Sequence, residues 1–558
     1  MKSVHEGTGA ASVATAAAVA VVTYSVWWRW SESKRVRTFL RGSSSSVGNS
    51  GRLPSPMPAL PRWCGFVGGH TLTMEPTKLV TQLEGWADEF GGDYEIQLVG
   101  TRVICVTGLS DIRRILTLRP SKFKRGLGPD QLNWAAEQVA VKDSMFFEEG
   151  KAWGRSRRLI SPNLNGHNVA AMLSVVSKIG ERFCAKLGDK ADKGEIVKAR
   201  NSFERFTHDI IALAAFGVDA DSVTATAERP SRSFDAMDFC LTTFAKLVVA
   251  PSAIWTWKLL PMVPWVRRTK EHVRRGQTVI QGAIDAARRH ASAPVSTADG
   301  GAETADGTLL RKIIRATNGK GSSDRMLFTD QEVMHQAASL FVAATETSAL
   351  SLTWAMYFLT KHPGDFSRCR AEALEAAPSS GGMASTSEQL SKLEFCSAVL
   401  KEALRLRTPA ALTSFYGTED FTMESGFVLK KGTGVVVLNR MIGRSDEFFT
   451  RAKDFVPERW ISAEREEALL GGSKGTVTHE PEAFLAFGHG ARICPGQDMA
   501  KAEGAIIIAA ICARFDISMA SGQPDPPEEV TAFTSGPEEL GMIFTRRRQQ
   551  VQTSSADR

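Results

Sequence analysis

The chain has 558 residues, of which 43% are hydrophobic and 8% aromatic, and its 68 Lys and Arg against 61 Asp and Glu give a formal charge of +7. This composition is typical of globular proteins and excludes a small disulfide-stapled fold and a wholly disordered chain. The mild charge gives no argument for binding nucleic acid. Length alone suggests three or four domains of about 150 residues each.

The N-terminus predicts a membrane anchor. Residues 7–28 are uncharged, rich in Ala and Val, and about as long as the roughly 20 residues that cross a bilayer as a helix. Basic residues follow against the single acid Glu32, and they are Arg29, Lys34, Arg35, Arg37 and Arg41. The positive-inside rule then leaves the rest of the chain in the cytosol. The alternatives are a cleaved secretory signal and a plain surface helix.

We therefore expect residues 1–30 to contact membrane lipid as a single-pass anchor in the endoplasmic reticulum membrane. Residues 31–74 are a basic and proline-rich linker that acts as a semi-rigid spacer. Residues 75–545 carry all the periodic patterns without an internal repeat, and residues 546–558 are a polar C-terminal tail. Low-complexity stretches at 291–307, 376–388 and 471–478 interrupt helical patterns that resume afterwards, so we expect surface insertions in one large domain.

Long helical patterns alternate with short strand patterns, at residues 94–99, 103–107, 427–429 and 435–438, which predicts a mainly α fold with small β-sheets (α+β). The clearest helix starts at the capping box of Thr329 and Glu332 and runs to about His362. It is apolar almost all round, so it should cross the middle of the domain. The polar run at 345–348 inside it is a candidate site, although hydroxyls bonded to the preceding turn are the alternative.

Eight cysteines are scattered without a CxxC pair or a zinc-spaced histidine, which favours buried thiols in a reducing compartment. Cys494 differs from the others. Two glycines before it permit a tight turn with backbone amides near the sulfur, and Gly496 lets a helix start close to a flat partner. Amides and a helix N-terminus directed at sulfur favour the thiolate.

The loop around this cysteine reads Phe487-Gly488-His489-Gly490-Ala491-Arg492-Ile493-Cys494-Pro495-Gly496. It resembles the cysteine loop of the cytochrome P-450 family of haem-thiolate monooxygenases, Phe-Gly-x-Gly-x-Arg-x-Cys-x-Gly, and matches it at every fixed position. The resemblance implies a heme b whose iron is bound by the Cys494 thiolate, between this loop and the long central helix. Phe487, Gly488 and Gly496 would then contact the cofactor.

Other elements of the family appear in the expected order. Glu402 and Arg405 match its Glu-x-x-Arg element, and Arg459 stands where the third member of its buried triad is found. Trp153 and Arg157 match the Trp-x-x-x-Arg element that contacts a haem propionate in relatives. The resemblance implies that Arg157 and Arg492 neutralise the propionates, a sound pairing of guanidinium and carboxylate.

The central helix matches the oxygen-activating segment of the family at residues 343–348. The resemblance implies that Thr347 holds the water that delivers protons and that Glu346 connects this relay to solvent. Ala344 departs from the family, which has glycine there. Residues 410–417 depart as well, because they lack the basic residue with which relatives commonly bind a propionate. Tyr416, His489 or water are the alternatives for that role.

The resemblance implies a monooxygenase that inserts one oxygen atom of O2 into a lipophilic small molecule of the fatty acid, sterol or terpenoid class. No flavin or nicotinamide domain follows the cysteine loop, so NADPH electrons are expected through a separate flavoprotein reductase. The alternatives are a haem-thiolate isomerase or dehydratase that acts on a hydroperoxide without O2, and a non-catalytic haem carrier. The expected substrate cavity is lined by residues just before Trp153, by Phe341, Ala344, Ala411 and Leu412, and by residues near Phe533.

Overall fold

A computed structural model describes residue 53 and residues 74–98, 101–127, 131–249, 264–291, 308–318, 328–461 and 480–547. The predicted membrane anchor and the insertion at 471–478 lie outside these residues, as do nearly all of the linker, the tail and the insertion at 291–307. Within the described ranges, no helix has the length and apolar character needed to span a bilayer.

The described part of the chain is mainly helical, as predicted. In chain order its α-helices are α1 Leu79–Phe90, α2 Leu109–Thr117, α3 Gln131–Gln138, α4 Gly150–Ile160, α5 Gly166–Ala170, α6 Leu173–Asp192, α7 Ala199–Phe216, α8 Arg232–Val249, α9 Pro264–Ala291, α10 Leu309–Asn318, α11 Asp330–Lys361, α12 Pro363–Ala376, α13 Ser387–Ser391, α14 Glu394–Leu406, α15 Asn439–Gly443 and α16 Gln497–Arg514.

The strands form small sheets, also as predicted. They are β1 Tyr94–Leu98, β2 Thr101–Val106, β3 Phe123–Arg125, β4 Val197–Lys198, β5 Thr413–Gly417, β6 Phe421–Thr422, β7 Val428–Leu429, β8 Gly434–Val437, β9 Phe515–Met519, β10 Glu529–Thr531, β11 Ser535–Pro537 and β12 Gly541–Arg546. The largest sheet has five strands in the order β1-β2-β8-β5-β3, and β2 and β8 run parallel. The smaller sheets are β4-β12-β9, β10-β11 and β6-β7.

The central helix α11 confirms the prediction at both ends. The Thr329 hydroxyl accepts a hydrogen bond from the Glu332 N–H at 3.2 Å, and the Thr329 N–H donates to the Glu332 carboxylate at 2.7 Å. The helix ends before His362. Every residue from 349 to 357 is buried, so this half of the helix is covered on all faces and crosses the core.

Helix α16, which follows the cysteine loop, lies in the same core as α11. Its residues 502–513 are all buried. A Cβ atom at Gly504 would lie 2.5 Å from the Leu400 side chain of α14, so glycine permits these two helices to approach closely. The packing fixes the position of the loop that carries Cys494.

Candidate functional site

The cysteine loop is shaped by two glycines with left-handed backbone conformations, Gly488 at φ +78° and Gly490 at φ +71°. A Cβ atom at Gly490 would come within 2.8 Å of the Leu116 carbonyl oxygen, so only glycine fits there. The Cys494 N–H donates to the Phe487 carbonyl at 2.9 Å and closes the loop. Beyond its chain neighbours, no heavy atom of the described residues lies within 4 Å of a Cβ built at Gly488 or Gly496, so both positions face open space.

The Cys494 thiol lies at the end of this loop and is partly buried. Burial raises its pKa, while a hydrogen bond from the Gly496 N–H and the positive charges of Arg157 and Lys501 oppose that rise. The loop therefore offers stabilising groups to a thiolate in a partly dry setting, as a metal ligand requires.

The central helix presents an uncovered surface in its first half. Ala343 is exposed and Thr347 is half-buried, four residues further on the same face. The Thr347 hydroxyl donates to the Ala343 carbonyl at 2.6 Å. The sequence left this bond to the preceding turn open as the alternative to a functional role. Its oxygen still has acceptor capacity on the open side.

Glu346 points to a different place from Thr347. It is 5% exposed, and one carboxylate oxygen lies 3.3 Å from the Arg200 guanidinium while the other has no partner among the described residues. Burial raises the pKa of Glu346, and Arg200 lowers it. The Arg200 guanidinium also donates to the Glu204 carboxylate at 2.9 Å. Burial raises the pKa of Glu204 to about 7.

These groups line a polar chamber of about 380 Å³ that also contains Asp238 and Thr345. The sequence analysis missed Arg200, Glu204 and Asp238. Their helices α7 and α8 meet α11 only in the folded chain, and no local pattern around them marks a site. A chamber of buried acids around one arginine can hold water and exchange protons.

An apolar cavity of about 880 Å³ adjoins this chamber and shares Met237, Leu241 and Phe533 with it. Its wall includes Val139 to Val141, Phe146 and Phe147 from the stretch before Trp153, and Phe341 to Ala343 from the central helix. The expected lining is thus observed for Phe341, Phe533 and the stretch before Trp153. Ala344, Ala411 and Leu412 do not line this cavity.

Arg492 of the cysteine loop reaches helix α4. Its guanidinium lies 4.3 Å from the Trp153 ring centre, and it donates to the Glu149 carboxylate at 2.5 Å and to the Glu148 carbonyl at 2.6 Å. Arg157 donates to the Ile493 carbonyl at 2.8 Å. The structure therefore brings together Trp153, Arg157, Arg492 and the residue before Cys494.

Two further arginines lie beside Arg492, and the sequence analysis missed both. Arg119 donates to the Glu149 carboxylate at 2.8 Å, and Arg125 lies over the Phe146 ring at 3.8 Å. We call Arg119, Arg125, Arg492 and Glu149 the Glu149 cluster. Burial and the positive charges of Arg119 and Arg492 lower the pKa of Arg125. The Nε atoms of all three arginines are buried without a described partner.

Sheet pairing places Arg125 beside residues 410–417, which lack a basic residue. Strand β3 pairs with β5, and Arg125 stands directly opposite Phe415. A guanidinium is therefore present on the strand next to the one where the family resemblance expected it. His489 lines a separate surface groove with Arg113 and Glu447.

The other predicted arginine set is buried beneath this region. The Glu402 carboxylate accepts bonds from Arg405 at 2.6 and 2.9 Å and from Arg459 at 3.0 and 3.1 Å, and all three side chains are 0% exposed. Trp460 and the Val456 N–H donate to the same carboxylate at 2.9 Å. We call Glu402, Arg405 and Arg459 the Glu402 triad.

The residues present fit a haem. Three guanidiniums with unpartnered buried Nε atoms surround a single carboxylate, which suits two added propionates. The partly buried Cys494 thiol suits the iron, and the open space at Gly488 and Gly496 leaves room for a flat group. In the described residues no cluster of His, Cys, Asp and Glu could hold a separate metal ion.

Comparison with known proteins agrees with this geometry. The protein LUTEIN DEFICIENT 5, chloroplastic, of Arabidopsis thaliana is 26% identical over 462 residues, which cover 82% of this chain and 72% of the relative. Two Zea mays proteins, dolabradiene monooxygenase and zealexin A1 synthase, are 26% and 25% identical over 397 and 395 residues, in each case 70% of this chain and 72% of the relative.

A crystal structure of the cytochrome P-450DA heme domain shares the fold, with a TM-score of 0.72 at 19% identity, over 88% of this chain and 97% of that chain. The model of the cytochrome P-450 family matches residues 54–544. With that match over most of its length, and with a cysteine loop, a central helix and an arginine-rich cleft in place, this chain belongs to the cytochrome P-450 family.

Proposed function

We propose that this chain is a monooxygenase that inserts one oxygen atom of O2 into a lipophilic organic substrate, with NADPH electrons from a separate flavoprotein reductase. The apolar cavity carries the proposal, because hydrocarbon groups form nearly all of its wall and it borders the central helix at Ala343, one turn before Thr347. An apolar wall of this kind suits a fatty acid, sterol or terpenoid. Membership of the family implies a haem with a cysteine thiolate ligand to iron.

In this proposal Cys494 binds the haem iron, and the haem when bound supplies the oxygen-activating chemistry. Trp153, Arg157 and Arg492 bind the propionates, together with Arg119 and Arg125 of the Glu149 cluster. Phe487, Gly488 and Gly496 shape the loop beneath the cofactor. The Glu402 triad would support that loop through Trp460, whose ring packs against Phe484, which in turn packs against Phe487.

Protons reach the site through Thr347 and Glu346. The Thr347 hydroxyl lies on the open face of the central helix and can hold a water there. Glu346 lies in the polar chamber, where burial raises its pKa so that it can both bind and release a proton. Arg200 joins Glu346 to Glu204, whose pKa of about 7 suits proton exchange at neutral pH.

Basic groups near the cysteine loop support docking of an acidic reductase. Lys501 lies over the Phe487 ring at 5.2 Å. A second lysine, Lys401, lies near it, because burial first and the positive charge of Lys501 second lower the pKa of Lys401. Complementary charge between such a surface and a flavoprotein would speed their encounter.

Electron coupling tests the proposal. With purified reductase, NADPH and candidate lipids, we expect NADPH consumption that matches product formation in the native enzyme. Thr347→Ala should keep NADPH consumption but lose much of the product. Thr353→Ala is the matched control, because Thr353 also bonds back to the preceding turn, at 2.8 Å to Ala349, but lies in the buried half of the helix. Turnover of a lipid hydroperoxide without NADPH would instead establish the isomerase or dehydratase.

We further propose that residues 1–30 anchor the protein in the endoplasmic reticulum membrane with residues 31–558 in the cytosol. The name of the Arabidopsis thaliana relative states that it is chloroplastic, which makes the plastid the second compartment to test. Fractionation of cells that express the full chain with a C-terminal tag, with and without residues 1–30, distinguishes the two. Recovery in microsomes only with residues 1–30 supports the anchor, and recovery in plastids contradicts it.

A further inference from the structure

One side of the apolar cavity is formed by a loop between two helices. Residues 139–149 join α3 to α4, and we call them the wall loop. Five of its residues line the cavity, namely Val139, Ala140, Val141, Phe146 and Phe147. Ala140 has φ +59°, a left-handed conformation that costs an alanine free energy. A loop keeps such a conformation only where the contacts around it hold it in place.

Two phenylalanines supply the bulk of the wall loop. The Phe146 ring centre lies 4.8 Å from that of Phe147 and 5.7 Å from that of Phe533. The Arg125 guanidinium of the Glu149 cluster lies 3.8 Å from the Phe146 ring centre. The Phe146 ring therefore borders both the cavity and the proposed propionate site. A shift of this ring would change the room that the cavity offers to a ligand.

The residue before Phe146 is held from two sides. The Met145 N–H donates to the side-chain oxygen of Gln336 on α11 at 2.8 Å. The Met145 carbonyl accepts from the Arg492 guanidinium at 3.1 Å. A backbone N–H can only donate and a carbonyl can only accept, so the direction of both bonds is fixed. The central helix and the cysteine loop thus meet at one residue of the wall loop.

Gln336 uses both ends of its amide to hold this region. It is 1% exposed. Because its oxygen accepts the Met145 N–H, its nitrogen is the donor to the Ser156 hydroxyl at 3.0 Å and to the Asp143 carbonyl at 3.4 Å. Two other side chains of α11 reach the wall loop at Asp143. Gln336 is therefore the contact that fixes the loop from this helix at the residue next to Phe146.

We propose that Gln336 is a positioning residue for the substrate cavity, because it holds Met145 and thereby places the Phe146 ring that limits the size of the ligand. This inference rests on the proposed function and adds what restricts its substrate. Gln336 is not among the residues that line the cavity, so it acts through Phe146. When its bonds are lost, the wall loop can withdraw. A compact ligand then loses contact with the ring, whereas a bulky ligand gains room.

Hydrogen exchange of the haem-loaded full chain tests the first step without any ligand. Gln336→Met keeps the length of the side chain but forms neither bond. The N–H groups of residues 143–147 should then exchange at least about tenfold faster than in the native enzyme. Gln389→Met is the matched control, because Gln389 also accepts a backbone N–H, that of Ser385 at 2.9 Å, but at the surface. Native exchange of residues 143–147 in Gln336→Met overturns the inference.

Two ligands of different size test the second step. Adamantanol is compact and androstanol is elongated, and both are neutral lipophilic alcohols. Isothermal titration measures their affinities for the haem-loaded full chain. In Gln336→Met we expect the ratio of androstanol affinity to adamantanol affinity to rise about tenfold over that of the native enzyme, and in Gln389→Met to stay native. A ratio that is unchanged or lower in Gln336→Met overturns the inference, even where both affinities fall together.

A double-mutant cycle shows whether Gln336 acts through Phe146. Phe146→Ala alone should raise the same ratio. Addition of Gln336→Met should then change it little, because the ring that Gln336 positions is gone. Fully additive effects contradict the inference, since Gln336 would act elsewhere. If Gln336→Met fails to fold, Gln336→Asn decides, because its amide is too short to hold Met145, and an unchanged ratio there contradicts the inference.

The outcomes separate this inference from the proposed function. Binding of both alcohols with a ratio that does not respond to Gln336→Met overturns the role of Gln336 and leaves a lipophilic monooxygenase intact. Failure of both alcohols to bind the native enzyme contradicts the lipophilic cavity itself, and this inference falls with it.

Discussion

The described part of the chain contains two buried arginine clusters, and they differ in how their charges are satisfied. The Glu402 triad and the Glu149 cluster both hold more guanidinium groups than carboxylates. In the triad both guanidiniums bond the carboxylate and also reach backbone carbonyls, with Arg405 donating to Ala452 at 2.5 Å and to Asp454 at 2.8 Å, and Arg459 to Thr450 at 2.9 Å. Among the residues that the structure describes, every buried side-chain nitrogen and oxygen of the triad has a partner.

The Glu149 cluster lacks this completeness. The Arg119 and Arg492 guanidiniums share the Glu149 carboxylate, to which Arg125 donates only its backbone N–H. Each of the three arginines has an Nε atom without a partner among the described residues, and burial lowers the pKa of all three, that of Arg492 to about 10. Uncompensated buried charge is costly and persists where a ligand repays it. The comparison teaches that the triad is complete in the protein alone, whereas the unpartnered Nε atoms of the cluster support the proposal that it binds anionic groups.

The largest expected effect comes from replacing Cys494, the proposed ligand to the haem iron. Cys494→Ala should abolish the thiolate-type absorbance of the reduced carbon monoxide complex, because Cys494 is the proposed ligand to the iron. Cys240→Ala is the control, since this thiol lines the apolar cavity, and its spectrum should be that of the native enzyme. Survival of the thiolate spectrum in Cys494→Ala would show that the ligand assignment is wrong.

Glu402→Gln should break the scaffold. The substitution leaves two fully buried guanidiniums without a carboxylate, which costs roughly 3–5 kcal/mol of unfolding free energy. Denaturant unfolding measures the loss, and Glu388→Gln is the control because its surface pair with Lys392 is exposed. Equal stability of both variants would contradict the scaffold role of the triad.

A third buried acid, Glu503, extends the comparison, because no arginine is among the groups that shift its pKa. Glu503 of α16 is 5% exposed and bonds Ser348 of the central helix, and burial raises its pKa from 4.5 to about 7. The native state therefore holds this proton more tightly than the unfolded chain. Unfolding free energy should fall as the pH rises from 4.5 to about 7 and stay low above that.

Glu503→Gln removes this loss, since the amide stays neutral. Above pH 7 the variant should be more stable than the native enzyme by about 3 kcal/mol, and near pH 4.5 the two should agree. Denaturant unfolding at the two pH values measures the difference. A variant that is less stable above pH 7 would mean that the carboxylate is satisfied in its charged form.

The sequence predicts those parts of the fold and the site whose residues lie close together along the chain. The capping box at Thr329 predicted the start of the central helix, and alternating apolar residues predicted four of the strands. The cysteine loop and the Glu402 pair carry fixed spacings within ten residues. Length alone suggests three or four domains, whereas the patterns along the chain predict one large domain, and the core that α11 and α16 share draws residues from Val169 to Phe544.

The missed residues depend on pairing between distant segments. Arg125 meets the site because β3 pairs with β5, almost 300 residues later, and that register is not visible in either strand alone. Arg200 and Glu204 lie on one helix whose local pattern is that of an ordinary buried helix. Their chemistry appears only when α7 packs against α11.

Haem retention in Arg125→Gln tests the central contrast most directly. If the Glu149 cluster binds the propionates, transfer of haem to apomyoglobin should be at least about tenfold faster than in the native enzyme, since a charge-assisted hydrogen bond is lost. The unfolding free energy of the haem-free protein should be unchanged or higher, because one unpaired buried charge is removed. Arg125→Lys should restore part of the retention, and the control Arg102→Gln, at an exposed pair with Glu95, should change neither quantity. Native haem transfer in Arg125→Gln together with a destabilised haem-free protein would contradict the account, because Arg125 would then be scaffold like the Glu402 triad.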